Sequence, residues 1–396
     1  MIKWVKNITL ITATLVLLGG CSSGEDVVQM ADLPEIKTTY QPEIAWKVTV
    51  GDGVEGYYSQ LQPAIDDKAV YVAAREGDVS AFSINKGKKV WSIDLSKHET
   101  NQLNHSARLS GGVSLGDDSV FIGTENAQVF ALDKTNGDIK WVSSISGEII
   151  AQPVYGNNLV VVHTSRGDLI ALNSKDGEVV WSLSSTQPKL TLRGSATPSI
   201  SQGGVVFGRS DGYIAAVLLD NGQPLWQLPI ARAYGATELE RLVDADMKPI
   251  IINNIIYALA YNGNLVAIDL LKGQELWAKK YSGYSNISVS GQDIFLTDYR
   301  GYIFAVDRSD GQQRWVNKAL AYRNVTGVTV ANEYLVVGDG EGYLHWLDRE
   351  SGQFVAQQKL DSDGLYKEPV ASATHLYLQT RSGKLIAIEK PILNVE

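Results

Sequence analysis

The sequence predicts an all-β protein, an eight-bladed β-propeller of four-stranded antiparallel blades closed by an N-terminal strand in the last blade. Three observations predict it. A hairpin unit running from a small residue to a tryptophan fourteen positions on recurs in register along the chain. Successive units start 50, 40, 45, 51, 38, 41 and 41 residues apart, room for four short strands and their turns. The last unit lacks its outer strand, while an unmatched outer strand stands ahead of the first.

The complete units run from Gly77 to Trp91, Ala127 to Trp141, Gly167 to Trp181, Gly212 to Trp226, Gly263 to Trp277 and Gly301 to Trp315. In the seventh, Gly342 to Ala356, alanine replaces the tryptophan, and the eighth begins at Gly383. The first small residue closes a tight turn, as in Tyr261-Asn262-Gly263-Asn264, where Asn-Gly supplies the positive φ a hairpin needs. A short strand follows, then an Asp/Asn-x-x-x-Gly turn whose glycine takes the left-handed conformation, then a strand ending in tryptophan. An apolar β-run precedes each unit, such as Ala69–Ala74 or Ile255–Tyr261. A further short strand lies upstream of most, often marked by proline (Pro63, Pro153, Pro198, Pro369).

Residues 43–50, which include Trp46, form the unmatched outer strand. Paired beside Gly383–Glu389, they complete the eighth blade and remove both open edges of the ring. The tryptophans at 46, 91, 141, 181, 226, 277 and 315 are expected to pack between blades.

Composition narrows the function. A net charge of −9 leaves no basic surface for nucleic acid, and no electrostatic reason to lie on anionic lipid. The single cysteine, Cys21, forbids an internal disulfide and any CxxC site. It follows Lys3, Lys6, an apolar run from Ile8 to Leu18 and Gly19-Gly20. The run is too short to span a bilayer comfortably and reads as a signal peptide over residues 1–20. Leu18-Gly19-Gly20-Cys21 resembles the bacterial lipobox, which implies cleavage before Cys21 and its lipidation. Ser22 stands where an inner-membrane retention signal carries Asp, which in similar lipoproteins favours the outer membrane. Residues 21–41 read as a lipidated flexible tether, and 42–396 as the propeller.

The spacings of 45 and 51 residues mark inserts after Trp181 and Trp226. Both leave an outer strand and enter the next blade's inner strand, so they lie on one face, from adjacent blades, as one patch. The first carries Leu190, Leu192 and Arg193. The second carries a candidate helical turn, Ala236–Leu242, then Asp244 and Asp246. Exposed leucine flanked by arginine and acids has the make-up of an interface hot spot. The plainer alternative is that the leucines cover the propeller face and Arg193 pairs with an aspartate.

Other motifs carry less. Gly51-Asp52-Gly53-Val54-Glu55-Gly56 matches GxGxxG but is followed by strands, with no helix to receive a dinucleotide. Asp361-Ser362-Asp363-Gly364 lacks the later Glu of a calcium loop and reads as a turn. Of five scattered histidines only His98 and His105 share a loop. No nucleophile elbow or triad signature is present, so no catalytic residue and no cofactor or metal is expected.

The unit resembles the repeat of pyrroloquinoline-quinone dehydrogenases, which are also eight-bladed. The vicinal disulfide those enzymes often carry is impossible here, and little chain is left for active-site loops. Over the mature chain the sequence resembles the BamB family, lipoproteins of the outer-membrane β-barrel assembly (BAM) machinery. The resemblance is carried by Leu190–Gly194, Glu238–Asp246, Ala258–Asn264 and Val337–Trp346. It implies a non-catalytic scaffold on the periplasmic side of the outer membrane. It also implies that Leu190, Leu192, Arg193, Asp244 and Asp246 dock the POTRA domains of BamA, and that unfolded outer-membrane proteins meet exposed blade edges. A periplasmic quinoprotein dehydrogenase is the alternative, and a glycan-binding propeller a second.

Overall fold

A computed structural model describes residues 28–98 and 105–391, with Ala31 onward forming one unit. The signal segment and Cys21 lie outside the described residues. The described residues build eight four-stranded antiparallel sheets, each a meander whose order follows the chain. The eighth is the exception, because its fourth strand is Ile44–Thr49, paired antiparallel with Lys384–Glu389 as Val48↔Leu385 and Lys47↔Ile386. The closure expected from the sequence is therefore the one built.

Burial explains why the strands read as they do. In the first blade the second strand, Ala69–Ala73, is buried throughout, and the third, Asp78–Ser83, is buried at its four central residues. Both lie between neighbouring blades, so burial does not alternate along them, and their buried stretches are apolar apart from Ser80. The outer strand Lys89–Asp94 keeps only Trp91 buried.

Each outer-strand tryptophan has one task. Its ring covers the turn glycine of the next blade, where a Cβ would sit 2.5–2.6 Å from the ring in every case but one, and closer still at Gly273 on Trp226. Its indole N–H donates to a backbone carbonyl of that same turn. Trp91 bonds Lys134 O at 3.0 Å, Trp141 bonds Ser174 O at 2.9 Å and Trp181 bonds Leu219 O at 2.7 Å. Trp226, Trp277 and Trp315 continue the series with Leu270 O, Arg308 O and Arg349 O. Trp46 closes it, its indole on Gly87 and its N–H on Ile84 O at 3.1 Å. The glycine is needed twice over, because Gly222 and its equivalents also hold φ near +70°. Room for the indole comes from a small residue across the strand pair, as in Ala81↔Trp91, Ala131↔Trp141 and Ala171↔Trp181.

The seventh blade inverts this pair. Its third strand carries Trp346 and its outer strand Ala356, directly opposite. The eighth blade has no turn after Lys384–Glu389 for an outer-strand tryptophan to cover, because its fourth strand comes from the N-terminus. A residue expected in the tether fills the gap. Tyr40 stacks on Tyr334 at 4.9 Å, packs edge-on to the fully buried Trp346 at 5.0 Å and donates its hydroxyl to Glu389 O at 3.4 Å. The backbone N–H groups of Thr39 and Tyr40 donate to Val355 O, and Gln357 Nε2 donates to Pro34 O. Farther along, Ala31 N–H donates to Ala321 O, and Arg323 Nη1 donates to Ala31 O at 3.0 Å. Arg323 itself bonds the buried Asp339, which also pairs with the buried His345 at 3.0 Å. Burial alone would raise the Asp339 carboxyl, but these partners and the Tyr343 amide outweigh it and hold the group low. Residues 31–40 thus form a strap along the seventh blade, within the span read from sequence as tether.

The docking of tryptophan on glycine is separable from backbone strain. Gly203 has φ +75° with open space where a Cβ would stand, whereas Gly222 has φ +71° with the Trp181 ring at 2.6 Å. Gly222→Ala is expected to destabilise the protein by about 1–3 kcal/mol more than Gly203→Ala, as overpacked sites do. Thermal denaturation of both variants checks this, and equal losses would reject the docking term. Tyr40→Ala is expected to cost about 1–3 kcal/mol and to open the strap to protease, whereas Tyr40→Phe keeps most of the stability.

Candidate docking face

In an antiparallel meander the turns joining second to third strands share a face with the links from each outer strand to the next blade. Both inserts are such links. The first spans residues 184–198 and the second 230–249. They meet, since a Cβ on Gly194 would lie 2.6 Å from an Asp246 carboxylate oxygen, and the Leu192 backbone N–H faces the Asp244 carboxyl. Leu190 is exposed, Leu192 half-buried and Arg193 exposed, while Asp244 is buried and Asp246 half-buried.

The second insert is held at both ends. Ala231 bridges to Gly263, and Asp244 and Tyr261 exchange backbone hydrogen bonds. Between them one turn is closed reciprocally. Glu240 accepts from the N–H groups of Ala236 and Thr237, and Thr237 Oγ1 accepts from Glu240 N–H. The helical turn expected over Ala236–Leu242 is this capped turn alone; no helix forms there. It raises Tyr234 to 89% exposure and Leu239 to 70%, the most exposed large apolar side chains of the described residues.

Arg193 does not pair with the aspartates. Its guanidinium donates to Glu125 Oε2 at 3.1 Å and lies 3.8 Å from Glu148. Glu125 is nearly buried and takes a second bond on the same oxygen from Arg75 Nη2, also 3.1 Å. Tyr57 covers the Arg75 guanidinium at 3.8 Å from its ring centre. A buried carboxylate between two guanidiniums is stable, and losing either arginine leaves it under-compensated. The first insert is braced from below as well, where His163 Nδ1 lies 3.1 Å from Ala196 O. Burial lowers His163 to about 4, so the ring is neutral and donates this bond.

Asp244 and Asp246 face each other instead. Neither oxygen of Asp244, nor Oδ1 of Asp246, has a well-formed hydrogen bond among the described residues. Burial first, and the neighbouring carboxylate second, push Asp244 far up; burial pushes Asp246 up. Two carboxyls so placed hold one proton between them at neutral pH. Tyr58 stands beside them with its ring partly exposed and its hydroxyl enclosed, which together with Asp246 pushes that hydroxyl up.

Arg75, Glu125, Tyr57, Tyr58, Tyr234 and Leu239 belong to this face but were not singled out from the sequence. The signal was present for two of them. Arg75 and Glu125 follow Ala74 and Thr124 at equivalent places in consecutive blades, so aligning the second-to-third turns puts them side by side. Among the described residues no group of three or more His, Cys, Asp or Glu is placed to hold a metal ion.

The carboxyl pair gives a pH signature. Because its folded pKa values are raised, its stabilising contribution is present below the ordinary aspartate range and is lost as pH rises through the folded values. Asp244→Asn removes the like-charge penalty. It is expected to stabilise the protein at pH 8 by on the order of 1–3 kcal/mol and to do little at pH 4. Melting curves of wild type and variant across that range check the sign, and a pH-independent difference would show that the pair is not sharing a proton.

The family model described as "Outer membrane protein assembly factor BamB" matches residues 39–108 and 75–317. A BamB assembly factor from Yersinia pestis is 41% identical over 390 residues, covering 97% of this chain and 99% of its own. The crystal structure of BamB from Moraxella catarrhalis superposes with a TM-score of 0.79 at 24% identity, covering 88% of this chain and all of that one. A quinohemoprotein alcohol dehydrogenase from Comamonas testosteroni reaches 0.68 at 14% identity, covering 88% of this chain and 76% of its own, and shares the fold alone. With 41% identity to such a factor over 97% of its length, and the family model matched over more than half of it, the chain belongs to the BamB family of outer membrane protein assembly factors.

Proposed function

We propose that this protein is a non-catalytic scaffold of the outer-membrane β-barrel assembly machinery. Lipid on Cys21 holds it on the periplasmic face of the outer membrane, and the face built by the two inserts docks the POTRA domains of BamA. The observation that carries the reading is the meeting of both inserts at Leu192–Gly194 and Asp244–Asp246, with Arg193 held on Glu125 and exposed apolar side chains on each insert at Leu190, Tyr234 and Leu239. Apolar anchors next to an oriented guanidinium make a hot spot. Arg193 is already aimed by Glu125, so a partner acid meets it without first ordering a long side chain. Each outer strand also ends its sheet, leaving an edge with exposed Val90, Val179, Leu225 and Leu276 for strand addition by unfolded outer-membrane proteins.

The test is co-purification from detergent-solubilised outer membranes. Wild type is expected to bring down a large barrel protein bearing POTRA domains. Leu192→Ala combined with Arg193→Ala, folded and lipidated, is expected to weaken binding by about thirtyfold or more, a loss of at least about 2 kcal/mol. Equal capture by the variant would move the docking site elsewhere. Capture of no such protein by wild type would end the scaffold reading.

A further inference from the structure

The inner strands of seven blades begin around one cavity of about 350 Å³, which for blades arranged in a ring places it on the axis. It opens among the links from outer to inner strands, on the same face as the two inserts. Its polar lining includes Gln60, Gln152, Thr197, Lys248, Asn286 and Lys367, with Glu368 as its one acid.

The lining sets two ammonium groups against one carboxylate. Glu368 accepts from Asn286 Nδ2 at 2.7 Å, so part of its capacity is taken. Gln60 and Gln152 each give one amide N–H to the protein, to Tyr58 Oη and Val113 O, and each keeps a second. Thr197 Oγ1 accepts from the Gln152 backbone N–H, which leaves its own proton free to donate. Neither Lys248 nor Lys367 has a carboxylate within ion-pair distance among the described residues, although both lie in the same cavity as Glu368. The Lys248 side chain reaches the water of the cavity yet is surrounded by protein, and that enclosure, outweighing the attraction of Glu368, lowers its pKa; Lys367 repels it further. Two ammonium groups close enough to repel, with one shared carboxylate, leave this cavity a net positive charge inside a chain of net charge −9. A cavity with that balance favours an anion with several acceptor oxygens.

We infer that the axial cavity is a binding site for a small oxyanion, a carboxylate or a phosphate, held between Lys248 and Lys367 with Thr197 and the amide side chains donating around it. Thr197 and Lys248 lie at the ends of the two inserts, but none of the lining residues belongs to the hot spot above, and the anion is tested on the purified protein without a partner. Binding neutralises the repulsion of the two ammonium groups and ties inner strands of several blades to one ligand. It is therefore expected to raise thermal stability.

The probes are inorganic phosphate and citrate, titrated at constant ionic strength into the purified protein and followed by calorimetry and thermal denaturation. Wild type is expected to show saturable binding in the millimolar range or tighter by at least one anion, and the anion that binds identifies the class. Lys248→Gln and Lys367→Gln are each expected to weaken it by about tenfold, since a charge-assisted bond is lost while a donor remains. Glu368→Gln, which keeps the acceptor for Asn286 and removes the competing charge, is expected to tighten it severalfold. The inference is overturned if neither anion binds saturably, or if the lysine and glutamate variants bind as wild type does.

Discussion

The fold depends on an indole laid across a glycine. Each outer-strand tryptophan caps the turn of the following blade and donates to a carbonyl within it, seven times around the ring, the seventh through Trp46. The contact couples packing to a hydrogen bond. It sets the rotation between blades as well as their separation, because the bond is made only when ring and turn are in register. This is why the links between blades vary in length while the fifteen-residue unit does not. A link can grow without disturbing the dock, and the two inserts are such growths on a scaffold held elsewhere.

The repeat was legible because a physical requirement wrote the same residues at the same places. Glycine with positive φ, a small residue in the third strand and tryptophan opposite recur wherever the dock recurs. The blade count and the closing strand followed from it. The strap was not legible for the complementary reason. Residues 31–40 are polar and proline-punctuated, as linkers are, and their meaning lies in one tyrosine filling a space left by Ala356 some three hundred residues away. The substitution of Ala356 for tryptophan was visible. The reciprocal Trp346 became informative only once the strand register set the two side by side.

The face shows a similar division. Spacing located both inserts, and the meander's geometry put them together. Charge pairing was beyond sequence reasoning, because Arg193 passes over the nearby aspartates to reach Glu125, a buried carboxylate from a different blade. Burial decides the matter. Glu125 has a guanidinium on either side, while Asp244 and Asp246 face only each other, and burial with the neighbouring carboxylate pushes Asp244 up. One surface thus holds a carboxylate flanked by arginines close to a pair of carboxyls that face only each other.

The closing strand has a consequence for how the molecule comes into being. Of the described strands Ile44–Thr49 is made first and Lys384–Glu389 last, yet they are partners in one sheet. Through most of synthesis the early strand has no mate, and blades that have already formed present two raw flanks. Bringing these ends together closes a loop of more than three hundred residues. Closure over so long a separation is costly in chain entropy, and pairings of that kind slow folding. The ring is consequently a clasp whose two halves travel at opposite ends of the chain, so a truncation at either terminus unfastens the same joint.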